Sequence, residues 1–239
     1  MAEVSGVITM QSVTDYILSK THRLGAQPEV SPGGQEWSMF NDAGTEIEVS
    51  EFLYSLVRMV KPNYILETGT HLGISACYMA LALAQNRRGL MTTYEIIDVL
   101  RQGAIGLWKD VGINHLIETK LMSSLTEFNN DRTIDLLFLD SEPQLRFDEF
   151  VKYWPQVAPA GFILIHDFHP SMGHSGQVIN NQYDWPYGDF RVKLGPYITS
   201  LQVQTINFKT PRGLTLFQKT GPGFENTLYL QSKLMLRPE

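Results

Sequence analysis

Acidic side chains and one histidine stand at the ends of four apolar runs in this chain, at Glu67, Glu95, Asp140 and His166–Asp167. Carboxylates accept hydrogen bonds and bind hard cations, whereas an imidazole titrates near neutral pH and can take up a proton. A single acidic residue in such a place is commonly a helix cap or a turn former. Its repetition after four runs instead indicates one polar site for ligand binding or acid–base chemistry.

The apolar runs have the composition of buried parallel strands, and helical patterns alternate with them. Strands that are apolar on both faces and alternate with helices indicate a parallel sheet that is covered on both sides. Ligands of such sheets bind outside the carboxyl ends of the strands, where the polar residues stand. The predicted parallel strands are Tyr64–Leu66, Leu90–Tyr94, His115–Leu121, Asp135–Leu139 and Phe162–Ile165.

Two further strands, Leu201–Phe208 and Leu214–Phe217, are joined by so short a connection that they must be antiparallel. The predicted fold is therefore a Rossmann-like α/β fold. Its sheet is doubly wound, mostly parallel and seven-stranded, with a C-terminal antiparallel pair. One predicted helix carries a buried stripe of Leu53, Leu56, Val57 and Val60, with Ser50 as its cap. The other helices are predicted near Val13–Ser19, over Ser75–Ala84, from about Val99 to Gly112, over Phe147–Trp154, and near Phe190–Ile198.

A glycine loop follows the first parallel strand and carries Gly69 and Gly73. A dinucleotide fingerprint needs a glycine two residues after the first one, but His71 stands there, and the lysine of a P-loop is absent from the motif. The loop therefore favours a ligand with a ribose and a small charged tail but no pyrophosphate. Glu95, at the end of the second strand, is placed to accept hydrogen bonds from a ribose diol.

Composition excludes several classes of protein. The chain has 239 residues, 25 acidic and 19 basic, with a net charge of −6 and no cluster of Lys and Arg, which argues against a nucleic-acid partner. Cys77 is the only cysteine, so an internal disulfide is excluded, and its apolar surroundings predict a buried structural thiol. The apolar runs are too short to cross a bilayer and no signal pattern opens the chain, which predicts a cytoplasmic protein.

The chain is expected to fold as one main domain with two appendages. Residues 1–49 are rich in Gly, Pro and polar residues and predict a cap or lid segment. Residues 50–219 hold all the predicted strands and form the main domain. The tail, residues 220–239, is open to interpretation as an extra strand, a dimer arm or an unstructured end, so a homodimer is left open.

Three stretches, Lys61–Ser75, Thr133–Asp140 and Trp154–Asp167, resemble class I S-adenosylmethionine (SAM)-dependent methyltransferases. Within that superfamily they resemble the small-molecule O-methyltransferases related to catechol O-methyltransferase and to the cephalosporin-hydroxylase and macrolide-sugar methyltransferase group. With the terminal strand pair, the resemblance covers about residues 50–219. It implies SAM as cofactor and the hydroxyl of a small, natural-product-like molecule as methyl acceptor.

The resemblance also implies roles for individual residues. The glycine loop and Glu67 would flank the methionine moiety, Glu95 the ribose, Ser123 and Ser124 the adenine edge, and Asp140 the floor of the active site. The implied cofactor-binding residues are Glu67, Gly69, Thr70, Gly73, Ser75, Glu95, Ser123, Ser124 and Asp140.

Metal-dependent relatives hold Mg²⁺ with an aspartate matching Asp140 and with residues at the end of the next strand. Here these are His166 and Asp167, and because imidazole suits Mn²⁺ better than Mg²⁺, the sequence leaves open whether a metal binds. Many relatives also carry a histidine near the substrate, but Pro143 stands there in this chain. The implied catalytic residues are therefore Asp140, His166 and His169, of which the histidines are candidates for the general base.

Two other functions fit the same residues. One is an RNA-modifying methyltransferase, which the acidic balance disfavours. The other is a non-catalytic SAM-binding protein, because the usual histidine is replaced by Pro143 and the metal ligand set departs from that of the relatives. A dehydrogenase is less consistent, because its glycine fingerprint fails at His71.

Overall fold

The computed structural model describes residues 9–20, 27–30, 36–40, 44–126, 131–168, 193–194, 196–197, 203–208, 210 and 212–220. The chain divides into two compact units, Met1–Thr126 and Glu127–Glu239. Each unit holds part of the polar residues singled out above. In the described part of the chain, no helix is long and apolar enough to span a membrane.

The first unit contains an N-terminal helix, a hairpin and the opening half of the α/β pattern. The hairpin is antiparallel and was not predicted, and the backbone amide of Ser38 in it donates to the Glu48 carboxylate at 3.0 Å. The elements are α1 (Met10–Lys20), β1 (Gln27–Val30), β2 (Glu36–Met39), α2 (Ile47–Val60), β3 (Tyr64–Thr68), α3 (Ile74–Asn86), β4 (Leu90–Glu95), α4 (Asp98–Val111), a 3₁₀ turn (Asn114–Leu116) and β5 (Ile117–Leu121).

Helix α2 shows the predicted buried stripe but begins earlier than predicted. Leu53, Leu56 and Val57 are buried as expected. Ser50 was wrongly predicted as the cap: it is buried within the helix, and its amide donates to the Glu46 carbonyl at 2.9 Å. The apolar residues Ile47 and Val49 extend the buried face toward the N-terminus, so the helix starts before the polar residue that resembled a cap.

Strands β3, β4 and β5 of the first unit are parallel and lie in the order β5-β4-β3. Every residue of β3 is buried, as are residues Ile74 to Leu83 of α3, so this helix is apolar on all sides and fills the core. Cys77 lies in that core, and burial raises the pKa of its thiol to about 12. The predicted buried structural thiol is confirmed.

The second unit contributes four strands, in the order β6-β7-β9-β8. β6 and β7 are parallel, whereas β9 pairs antiparallel with both β7 and β8, which confirms the predicted terminal pair. Strand β7 begins before the predicted Phe162, and a register shift against β6 lies near its start. The elements are β6 (Ile134–Leu139), α5 (Arg146–Tyr153), a 3₁₀ turn (Trp154–Gln156), β7 (Val157–His166), β8 (Val203–Phe208) and β9 (Leu214–Lys219).

The larger sheet has seven strands and is mostly parallel, with an antiparallel C-terminal pair, so the predicted fold class is confirmed. Of the helix predicted near Phe190–Ile198, residues 193–194 and 196–197 are described, and they are helical. Residues 221–239 of the predicted tail lie outside the described residues. The division into a cap, a main domain and a tail stays a prediction.

Candidate active site

Glu67 forms the centre of a buried hydrogen-bond network in the first unit. It is the penultimate residue of β3, and its side chain is 0% exposed. Ser75, at the start of α3, donates to one carboxylate oxygen at 2.6 Å, and Thr93 of β4 donates to the other at 2.6 Å. Thr93 also lies 2.7 Å from the Thr70 hydroxyl. The network joins the strand end, the glycine loop and the helix start through one carboxylate.

The loop after β3 curves back over β4. The amides of Gly69 and Thr70 both donate to the Tyr94 carbonyl, at 3.1 and 3.0 Å. Gly69 has a φ of +84° and His71 a φ of +46°, both in the left-handed region. That region costs a non-glycine residue about 1–2 kcal/mol, which explains the glycine at position 69.

Glu95 receives hydrogen bonds from three backbone amides, those of His71 at 2.7 Å and of Ile96 and Ile97 at 2.9 Å each. Oε1 accepts two of them and Oε2 accepts one. Because a carboxylate oxygen has two lone pairs, Oε2 retains an acceptor position within the described part of the chain. Glu95 therefore fixes the glycine loop and can also accept a hydrogen bond from a ribose hydroxyl.

Gly73 is required for a reason that the sequence did not show. Its φ is +72°, and a Cβ atom there would lie 2.7 Å from both Ala104 and Trp108 of α4. The Trp108 indole N–H donates to the Gly73 carbonyl at 2.9 Å. Packing against α4 therefore explains this glycine without a ligand, and its predicted role in cofactor binding stays a prediction.

Ser123 and Ser124 form a turn just after β5. The backbone amide of Leu125 donates to the Ser123 hydroxyl at 3.2 Å, and Ser124 is buried. The Met122 amide donates to the Glu95 carbonyl at 2.9 Å, so the turn begins beside the end of β4. The implied role of these serines at the adenine edge stays a prediction.

A second polar cluster lies in the second unit, where β6 and β7 end. The His166 Nδ1 atom lies 2.8 Å from Oδ1 of Asp140 and 3.6 Å from Oδ1 of Asp167. His166 is 1% exposed, and the two aspartates are half-buried. The three predicted metal ligands therefore converge, with one potential ligand atom from each within 4.8 Å of the others.

Arg146 lies in the same cluster and was not predicted. Its guanidinium is 2% exposed, and Nη2 lies 3.4 Å from Oδ1 of Asp140 and 3.0 Å from Oδ2 of Asp167. Nε and Nη2 donate to the Ser141 carbonyl, at 2.9 and 2.6 Å, and Nη1 donates to the His166 carbonyl. One side chain from the start of α5 thus holds both polar strand ends of this unit.

Asp167 combines an unusual backbone conformation with cationic neighbours. Its φ is +52°, and besides Arg146 it faces Arg212, whose Nε lies 3.5 Å from Oδ1. Burial acts to raise the pKa of this carboxyl, but the charges of His166, Arg146 and Arg212 outweigh it and hold the pKa well below its usual range. Asp167 is therefore a carboxylate at neutral pH.

The predicted residues fall into two groups. The described part of the first unit joins Glu67, Thr70 and Ser75 through hydrogen bonds, and that of the second unit joins Asp140, His166 and Asp167. His169, the other candidate base, lies outside the described residues. The sequence missed Thr93, Trp108 and Arg146. An arginine in the first turn of a helix opposes the helix dipole, which is the signal that could have drawn attention to Arg146.

A comparison with family models matches residues 66–168 to a family described as a methyltransferase domain. The matched segment begins within β3 and ends just after β7, so it contains the cores of both polar clusters. A comparison with curated proteins finds no match.

Solved structures of methyltransferases share the fold at low sequence identity. The O-methyltransferase TomG from Streptomyces achromogenes, involved in tomaymycin synthesis and solved with SAM, has a TM-score of 0.62 at 20% identity, over 75% of this chain and 83% of that one. An O-methyltransferase from Bacillus cereus solved with SAH has a TM-score of 0.60 at 19% identity, over 88% and 90%. The methyltransferase PaMTH1 from Podospora anserina, bound to SAH, has a TM-score of 0.61 at 14% identity, over 88% and 95%. The predicted resemblance to methyltransferases is confirmed over residues 66–168, and the solved structures share the predicted fold.

Proposed function

We propose that this chain binds SAM in its first unit and transfers the methyl group to a hydroxyl of a small molecule. The observation that carries the proposal is the buried Glu67 carboxylate, held by Ser75 and Thr93 at the edge of a glycine loop within the matched methyltransferase domain. A fixed carboxylate beside such a loop can attract the charged amino-acid tail of SAM. The Glu95 carboxylate can then accept a hydrogen bond from the ribose.

Methyl transfer places modest demands on the protein, because the sulfonium already activates the methyl group. The acceptor oxygen attacks the methyl carbon, the carbon–sulfur bond breaks with its electrons passing to sulfur, and S-adenosylhomocysteine (SAH) leaves. The hydroxyl proton must pass to a base. In the described part of the chain, the Asp140–His166 pair suits this step, because a carboxylate bound to Nδ1 orients an imidazole and stabilises its protonated form.

The nature of the acceptor is proposed from charge and from the related structures. A net charge of −6 disfavours the tracking of phosphates along a nucleic acid. TomG and the Bacillus cereus protein are both described as O-methyltransferases, and TomG acts in tomaymycin synthesis. These points favour oxygen over nitrogen, and a small natural-product-like molecule over RNA.

Cofactor binding is tested by thermal unfolding with SAM and with SAH. A ligand that binds only the folded state stabilises it by about 2.7 kcal/mol at ~100 times its Kd, so millimolar cofactor should raise Tm by several degrees. An unchanged Tm with both compounds in a folded sample would refute the proposal. Gly69→Val is a poor control variant, because a φ of +84° strains any side chain there whether or not SAM binds.

The acceptor is tested by transfer of a labelled methyl group from SAM. The purified chain is incubated with catechols and other phenols, with hydroxylated sugars, and with unmodified tRNA. Transfer to a small hydroxyl compound is expected. Transfer to tRNA alone would favour the RNA-modifying alternative, and SAM binding with no transfer to any acceptor would favour a non-catalytic SAM-binding protein.

A further inference from the structure

We infer that the Arg146 guanidinium occupies the cation position of the Asp140–His166–Asp167 cluster, so that the cluster binds no divalent metal. The consequence for catalysis, that methyl transfer proceeds without a metal, rests on the proposed function. The inference about metal binding does not.

The ligand set alone would suit a metal. Two carboxylates and one imidazole, with ligand atoms within 4.8 Å of one another, resemble the oxygen and nitrogen sites that hold Mn²⁺ or Fe²⁺. One carboxylate oxygen, Oδ1 of Asp167, is buried and accepts no hydrogen bond from the described residues. Taken without their neighbours, these atoms would be a metal-site candidate.

The guanidinium lies among the same ligands. Its Nη2 atom donates to Oδ2 of Asp167 at 3.0 Å and lies 3.4 Å from Oδ1 of Asp140, the oxygen that also contacts His166. A metal bound to both aspartates would have to share this space with a permanent positive charge. Arginine cannot relieve the repulsion by losing a proton, because its pKa lies above about 12.

Arg146 is also fixed in this position. Its other N–H groups donate to the carbonyls of Ser141 and His166, which belong to the segments following β6 and ending β7. The side chain is 2% exposed, so it has little room to move aside. Withdrawal of the guanidinium would break its hydrogen bonds to two backbone carbonyls, which is costly in a cluster that is largely buried.

The carboxylates of the cluster already have cationic partners without a metal. Two carboxylates, Asp140 and Asp167, face two guanidinium groups, Arg146 and Arg212. The buried Oδ1 of Asp167 lies 3.5 Å from the Arg212 Nε atom, so the oxygen without a hydrogen bond already faces a second cation. A divalent ion would add two positive charges beside two guanidinium groups in a largely buried cluster, which is unfavourable where the dielectric constant is low.

The test measures binding of Mn²⁺ to the full chain by the electron paramagnetic resonance signal of the free ion at neutral pH, with no turnover required. Wild type is expected to bind no Mn²⁺ that depends on the cluster, so Asp167→Asn should bind as much as wild type. If wild type binds one Mn²⁺ and Asp167→Asn loses it, the inference is wrong. Mn²⁺ ions that wild type and Asp167→Asn bind equally lie outside the cluster, and this result would support the inference.

A second set of variants asks whether the guanidinium is what excludes the metal. Arg146→Met removes the charge but keeps similar bulk, and it should gain one Mn²⁺ that Arg146→Met/Asp167→Asn does not bind. Arg146→Lys keeps the cation and should behave as wild type. Equal Mn²⁺ binding by Arg146→Met and wild type would overturn the inference. If Arg146→Met does not fold, the wild-type and Asp167→Asn comparison decides.

Activity is a separate readout. Turnover of the wild type should be unchanged after exhaustive chelation and after addition of Mn²⁺ or Mg²⁺. Turnover that is lost on chelation and restored by the ion would contradict the inference. A chain that shows no SAM binding would refute the proposed function, but the Mn²⁺ titration would still decide whether the cluster holds a metal.

Discussion

The two polar clusters of this protein both centre on carboxylates, buried in the first and half-buried in the second, but different donors bind them. In the first unit, Glu67 accepts hydrogen bonds from the neutral hydroxyls of Ser75 and Thr93. In the second unit, Asp140 and Asp167 accept hydrogen bonds from the guanidinium of Arg146. Hydroxyls hold a carboxylate in place without adding charge, whereas a guanidinium neutralises it.

The difference bears on which ligand each cluster can accept. A carboxylate held by hydroxyl donors can still attract a cationic group such as the amino group of a cofactor tail. Carboxylates paired with arginines attract an incoming cation less strongly, because the guanidinium groups already neutralise their charge. The first cluster therefore suits a charged ligand, and the second suits a structural and orienting role around His166.

The largest expected effect is on stability, from Arg146→Met. Removing one partner of a buried ion pair typically costs about 3–5 kcal/mol, because the remaining carboxylates stay buried without it. Urea unfolding should show a loss of that size. The control is Arg101→Met, which removes a helical ion pair with the exposed Asp98 and should cost far less. Equal losses for the two variants would show that Arg146 is no more important than a surface arginine.

Asp167→Asn should cost about 1.5–3 kcal/mol at neutral pH, the range for hydrogen bonds to charged groups. The pKa of Asp167 is lower in the folded chain than in the unfolded chain, so its carboxylate stabilises the fold above the unfolded pKa of about 3.9, and this contribution is lost as pH falls toward the folded pKa. Urea unfolding from pH 7 to pH 3 should therefore show the gap between wild type and variant narrowing only below about pH 4. A gap that closes near pH 6 would mean that an imidazole titrates instead.

Glu67→Gln should weaken SAM binding about 10- to 100-fold, because the amide keeps the shape of the side chain but removes its charge and opposes the hydroxyl donors. Isothermal titration calorimetry with SAM measures the change in Kd, and circular dichroism checks the fold. Glu118→Gln is the control, since that carboxylate is exposed on β5 and contacts Lys120. An unchanged Kd for Glu67→Gln would remove Glu67 from the cofactor site.

The smallest expected effect is that of Thr93→Val, which deletes one of the two hydroxyl donors to Glu67 while keeping the side-chain shape. The Kd for SAM should rise about 2- to 10-fold, corresponding to one hydrogen bond of about 0.5–1.5 kcal/mol. The control is Thr92→Val. Thr92 lies in the same strand as Thr93 and is equally buried, but its hydroxyl donates to Glu118, so its loss should leave the Kd for SAM unchanged. Similar changes in both variants would indicate a general effect on β4 rather than on Glu67.

The fold and the ends of its strands could be predicted from the sequence because buried parallel strands are continuous apolar runs. Glu67 and Asp140 interrupt such runs and are therefore conspicuous. Thr93 is not, because a threonine is ordinary in a strand and nothing in the sequence shows which way its hydroxyl points. The prediction of Ser50 as a helix cap was wrong for a related reason. A serine near the start of a helical pattern resembles a cap whether or not the helix begins earlier.

The members of the second cluster differ in how far the sequence could predict them. Asp140, His166 and Asp167 could be placed together from the ends of neighbouring strands. Arg146 stands beside the apolar Phe147 in an amphipathic pattern, where a charged residue is usually solvated. The structure shows its guanidinium folded back onto the carbonyls of Ser141 and His166, which changes the expected chemistry of the site.

The contact between Trp108 and Gly73 gives the protein an intrinsic optical reporter. The indole N–H is bonded to a carbonyl of the loop that is proposed to bind SAM, at 2.9 Å, and the ring is buried. Indole emission depends on the polarity and hydrogen bonding around the ring, so a ligand that shifts this loop should change the fluorescence without an added dye. If SAM binds this loop as proposed, the Trp108 share of the emission from the chain's four tryptophans should change on cofactor entry, including in variants that do not turn over.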